Sequence, residues 1–194
     1  MREDDRFYFP NTDEGREDYL DLNNEYLDAI TLKLPDYFGR LPKAELEVRR
    51  VESFREQAGA AQHYASGTPD GSRPGVFYSH MSDMSTLPIF QLEDVAYHEG
   101  SPGHHLQISI QQELTSVPRF RTQYRTTAYT EGWGLYAEWL AKEMGAFEDP
   151  YSDFGRLSGE LWRAIRLVVD TGIHAQKWGE ERAVQYFIDN SPQA

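Results

Sequence analysis

Residues 96–107 read "AYHEGSPGHHLQ". His98 and Glu99 open the pattern of a zinc-peptidase helix, His-Glu-x-x-His, but the next histidine arrives two residues late, at His104. In the unmodified motif, histidines at i and i+4 lie one above the other on a helix face and converge on one ion at ~2.0–2.1 Å from each nitrogen. On an ideal helix, His98 and His104 would point ~120° apart, and His98 and His105 would stand ~10 Å apart along the axis. Neither pair can share an ion on a regular helix. The sequence between them is not helical in character. Pro102 lacks an N–H and its ring would strike the carbonyl of His98, and Gly103 can take angles that other residues avoid. The turn after Glu99 is therefore expected to bulge or break, with a new helix starting near Pro102. A bulge that absorbs two residues would bring His104 to the place of the second motif histidine. Taken alone, three histidines in eight residues also fit exposed side chains or helix-end partners.

A third ligand is needed, and "AYTEGWGLYAEWL" at 128–140 offers Glu131. Two His and one Glu with an open fourth position form a catalytic zinc set. Gly132, costly inside a helix, reads as a place where a backbone or ligand comes close. Trp133, Tyr136 and Leu140 recur at helical spacings and read as core. Glu138, seven residues after Glu131, reads as a surface carboxylate or a supporting partner of the site. In "LWRAIRLVVDTGIHAQKWG", Arg163, Arg166, Asp170 and His174 fall at spacings of 3, 4 and 4 on one helical stripe. That stripe fits a salt-bridged face equally well as a set of groups holding a substrate carboxylate or an oxyanion.

Working outward, residues 14–34 carry Tyr19, Leu20, Tyr26, Leu27, Ile30 and Leu34 at helical spacings, with Pro35 ending the run. "LPKAELEVRRVESF" gives a short strand around Leu46, Val48 and Val51, and "VFYSHM" at 76–81 a second. Between them, "ASGTPDGSRPG" is a loop by its composition. Helices are expected at about 88–100, 103–114, 128–145, 152–177 and 180–189, with Pro150 and Gly179 as breaks. The sum is a mainly α chain with a small β element.

Composition narrows the chemistry. The 194 residues carry a net charge of −13, which argues against nucleic acid as a partner. There is no cysteine, so any metal must be held by His, Asp or Glu. No apolar run approaches the ~20 residues needed to span a bilayer. The N-terminus "MREDDRFYFP" has no signal-peptide core. Apolar residues at 39% and aromatics at 13% suffice for a packed core.

The pieces "DGSRPGVFY", "HEGSPGHHLQ", "YTEGWGLYAE" and "RLVVDTGIHAQKW", in that order, resemble the bacterial DUF885 family, placed with the gluzincin-type zinc peptidases. The resemblance implies a gluzincin-like helical metallopeptidase catalytic domain with zinc as cofactor. His98, His104 and Glu131 would be the ligands, His105 the alternative ligand, and Glu99 the catalytic carboxylate. It also implies that the strand at 76–81 is the edge strand beside the cleft, where an extended peptide substrate pairs with Val76–His80. Family members are far longer, so residues 1–194 read as one domain cut from a larger helical peptidase, its catalytic core at about 40–190. "SPQA" after the last helix reads as the start of a connection. A bacterial cytoplasm or cell envelope would be its setting.

The expected function is zinc-dependent peptide hydrolysis, of carboxypeptidase or oligopeptidase type. Glu99 would serve as general base, His174 as an oxyanion donor, and Tyr78, Arg163 and Arg166 as substrate-binding groups. The rival expectations are a non-catalytic zinc or peptide-binding module and a metal-free helical domain.

Overall fold

The computed structural model describes residues 4–57 and 60–191. The Pro192 end of the "SPQA" reading lies outside them. The chain is mainly helical with one small sheet. Helix α1 (Asp13–Thr31) starts where Thr12 Oγ1 accepts the Gly15 N–H, and it buries Tyr19, Leu27 and Ile30 along one face. Pro35 does not end this helix. It sits in the first turn of a separate short helix, α2 (Leu34–Tyr37), where a missing N–H costs nothing.

Three strands follow: β1 (Leu46–Arg50), β2 (His63–Ala65) and β3 (Gly75–Ser79). Their order is β1-β3-β2, with β1 parallel and β2 antiparallel to β3. Phe77 pairs with Val48 on one side and Tyr64 on the other. Its side chain is fully buried against Leu27 of α1 and Ala96. This corrects the expectation that the 76–81 strand forms an edge. Strand β3 is central, and the edge on the cleft side is β2. The local pattern "VFYS" reveals a strand, but its position in the sheet follows from long-range pairing. Strand β2 is three residues long, too short to show alternation.

Helix α3 (Ile89–Glu99) is the central helix of the fold, with α1 and two later helices, α6 (Thr127–Glu143) and α7 (Pro150–His174), packed around it. Its buried positions include Phe90, Leu92, Ala96 and Tyr97, along with Glu93, Asp94, His98 and Glu99. After a four-residue turn comes α4 (His104–Gln112), then the short α5 (Arg119–Gln123), which the sequence does not signal. Helices α6 (Thr127–Glu143), α7 (Pro150–His174) and α8 (Glu180–Asn190) lie close to their expected spans. Asp149 caps α7 by accepting the Tyr151 N–H, with Pro150 at the first position. The largest apolar cluster joins Ile30, Tyr97, Leu106, Leu140, Ala141, Met144 and Phe147, locking α1, α3, α4 and α6 together. Leu140 belongs to this core and Trp133 packs against it, whereas Tyr136 is exposed, contrary to its reading as core.

Candidate metal centre

The turn between α3 and α4 is a full break. Helix α3 ends at Glu99, residues 100–103 form the turn, and α4 begins at His104. The His105 N–H donates to Gly100 O at 3.0 Å, and the Gly100 N–H to Ala96 O at 2.8 Å, so the turn is tied to both of its flanks. Gly103 is required by space. A Cβ there would sit 2.0 Å from the His98 carbonyl oxygen and 2.3 Å from that of Tyr97. The chain folds back so tightly that α4 starts against the end of α3.

The fold-back brings His98 and His104 together. Their rings meet edge to face with centroids 4.6 Å apart. Glu131, from the first turns of α6, completes the group. His98 Nε2 lies 3.5 Å from Glu131 Oε2, and His104 Nε2 lies 3.7 Å from Glu131 Oε1. One ligand atom from each of the three lies within 4.8 Å of the others. Two ligands at ~2.0–2.1 Å from a tetrahedral zinc stand roughly 3.4 Å apart, so the donor atoms are close to the spacing an ion requires. The donor chemistry, two imidazole nitrogens and a carboxylate, suits zinc. Both histidines are buried, and the Glu131 side chain is 59% exposed, on the solvent side of the group.

The expected close approach at Gly132 is absent, since nothing lies within 4 Å of a Cβ built there. It occurs two residues later. A Cβ on Gly134 would lie 2.5 Å from the His98 ring. Gly134 thus makes the slot in α6 into which His98 fits. Trp133 ties the same helix to the turn, its indole N–H donating to Pro102 O at 2.9 Å.

Behind the cluster, Glu138 is 1% exposed, and its Oε1 lies 2.6 Å from His98 Nδ1. Arg163 Nη2 donates to the same oxygen at 2.7 Å. A carboxylate at that distance fixes the proton on Nδ1, which aims the Nε2 of His98 at the cluster. The 3.2 Å approach of Arg163 to Nδ1 is then a contact between two donors that share one acceptor. Glu138 is therefore a buried supporting group, and Arg163 holds it in place. Asp94, also buried, lies close enough that burial and the Glu138 charge push its pKa well above the ordinary value.

The surroundings of the two histidines pull their pKa values in opposite directions. Burial lowers the His98 pKa, but the Glu131 and Glu138 carboxylates outweigh it and raise the net value to about 9. Burial and the neighbouring His98 charge lower His104 to about 4, leaving it neutral. Glu131, bonded to His98, is lowered. Glu99 is pushed up to about 7, chiefly by burial. Its Oε2 is buried with no hydrogen-bond partner among the described residues.

His98, Glu99, His104 and Glu131 all line one cavity of about 600 Å³, together with Arg125, Arg163, Arg166 and residues of β2. Not every candidate gathers there. His105 turns away from the cluster toward the sheet, where its Nδ1 is 3.1 Å from the Tyr64 hydroxyl. Burial lowers its pKa to about 4. Tyr78 stacks on His63 with centroids 5.4 Å apart, and it is His63 that lines the cavity. His174 is 75% exposed at the end of α7, 3.7 Å from Asp170, and is not among the residues lining the cavity. Sequence reasoning missed Arg125 and the β2 residues. The "AQHYAS" stretch carries no periodicity, and a lone arginine before a helix carries no signal.

The family described as "Bacterial protein of unknown function (DUF885)" matches residues 1–194. The chain belongs to the DUF885 family. A solved structure, "the putative lipoprotein from Colwellia psychrerythraea", matches with a TM-score of 0.93 and 38% identity. The match covers 100% of this DUF885 chain and 33% of that one, so the chain spans about a third of that protein's length. No curated protein matches the sequence significantly. Among the described residues, no helix of this DUF885 protein is long and apolar enough to cross a membrane.

Proposed function

We propose that this protein is a zinc-dependent peptidase of the gluzincin type, with His98, His104 and Glu131 as ligands and Glu99 as general base. The observation that carries the reading is the convergence of those three ligand groups, within 4.8 Å, in the same cavity as a buried carboxylate. Zinc supplies Lewis acidity there, enough to bring the pKa of a water to about 7. Glu99 takes a proton from the attacking water and passes it to the leaving amine. Burial raises the Glu99 pKa above the ordinary carboxylate range, the direction that lets a carboxyl group both accept and return a proton near neutral pH. Glu138, itself held by Arg163, orients His98 toward the cluster. The outer edge of β2 lies at the cavity wall, with the Tyr64 backbone N–H turned toward Glu99, and gives an extended peptide a strand to run beside. The likeness to a protein described as a lipoprotein supports a bacterial envelope setting.

Protein purified without added metal, then dialysed against zinc, should hold one equivalent by elemental analysis. Glu99→Gln should keep that zinc and lose at least ~10²-fold in peptide turnover. Absence of zinc after dialysis, or unchanged turnover in Glu99→Gln, would overturn the reading.

A further inference from the structure

The chain has 32 acidic and 19 basic residues, yet its cavity is lined by three arginines against two carboxylates. Both carboxylates belong to the proposed chemistry: Glu131 faces the histidines, and Glu99 is the buried base. Arg163 is committed to Glu138. Arg125 and Arg166 make no ion pair among the described residues. Each is nonetheless held. The Arg166 guanidinium lies 4.5 Å over the Trp162 ring, and Trp162 lines the same cavity. Stacking of this kind fixes the plane of the guanidinium and leaves its edge N–H groups free, the fork that pairs with a carboxylate. Arg125 Nη2 donates to Ser66 Oγ at 2.9 Å, which anchors one corner of that side chain. Arg166 lies one helical turn beyond Arg163, whose Nη2 is 3.2 Å from His98, and Arg125 adds positive potential at His104. Two cations without acidic partners among the described residues thus line the cavity that holds the cluster, in a strongly acidic chain.

We propose that Arg166, assisted by Arg125, binds a carboxylate of the substrate, making this a site for anionic peptides. The inference rests on the peptidase reading for the word peptide, and on the cavity alone for the carboxylate. The carboxylate has two sources, a free peptide C-terminus and an Asp or Glu side chain.

The test is calorimetric binding to the zinc-loaded Glu99→Gln protein, with the same measurement on zinc-free protein. The probes are an alanine peptide as free acid, the same peptide as its amide, and the amide with one alanine replaced by Glu or by Gln. A carboxylate should tighten binding by about tenfold over its neutral counterpart. Arg166→Gln, with Arg125→Gln added, should bring that ratio to near one while the amide binds as before. Preference for the free acid over the amide assigns a C-terminal site, and preference for Glu over Gln assigns a side-chain site. Equal binding of all charged and neutral probes overturns the proposal, as does a preference that survives both substitutions. Turnover of peptides without charge preference would leave the peptidase standing and remove this inference. Carboxylate-dependent binding in a protein that hydrolyses nothing would do the reverse. Both arginines are exposed, so the variants are expected to fold, and an unchanged thermal midpoint checks it.

Discussion

Two stretches of this chain carry histidines and charged side chains at spacings that invite a functional reading: residues 98–105 and residues 163–174. The first is interrupted by a turn, the second is one unbroken helix. In the first, the chain doubles back at Gly103, and two imidazoles from different helices meet with ring centroids 4.6 Å apart. In the second, the stripe runs straight along α7, and its members separate. Arg163 reaches Glu138 and His98, Arg166 lines the cavity, and His174 ends up exposed beside Asp170. A rise of 1.5 Å per residue puts His174 about 16 Å beyond Arg163. A stripe aligns side chains in direction but spreads them along an axis. A break lets residues of poor helical spacing converge on a point.

The comparison can be broken most directly at Gly103. Gly103→Ala would force a methyl group into the carbonyls of Tyr97 and His98, which are backbone and cannot swing aside. We expect a loss of roughly 3 kcal/mol in urea unfolding, together with loss of zinc binding. Retention of both would mean that the fold-back does not set the cluster. Next in size is Glu138→Gln, which keeps the shape but weakens the hold on His98 Nδ1. Zinc affinity should fall by about 10–100-fold in competition with a chelator, with the far-ultraviolet spectrum unchanged. An unaltered affinity would reduce Glu138 to a packing role. At the other end of the comparison, His174→Ala should change stability by no more than about 0.5 kcal/mol and leave zinc affinity and turnover at the parent level. A large loss of turnover there would return the far end of the stripe to the proposed active site.

Much of the site was legible because its signals are local. Pro102 and Gly103 mark the break, and His98, His104 and Glu131 stand out as a candidate metal-holding group by residue type and the need for a third ligand. The long helices were legible for the same reason, through apolar periodicity in α1, α6 and α7. What escaped was whatever depends on pairing across the chain. The family resemblance implies an edge position for β3, but β2, a three-residue segment without alternation, pairs with it on the side opposite β1. Gly132 and Gly134 are indistinguishable in "TEGWGLY", and only the position of the His98 ring decides between them. Arg125 becomes interesting only when α6 is placed against the end of α4.

The hydrogen bond from Trp133 to Pro102 O has a practical consequence. It joins the helix that carries Glu131 to the corner that carries His104, so the two halves of the candidate site cannot part without breaking that bond and exposing more of a half-buried indole to water. A red shift in tryptophan emission, isolated by replacing the other three with phenylalanine, would therefore time the opening of the site without any substrate or added dye.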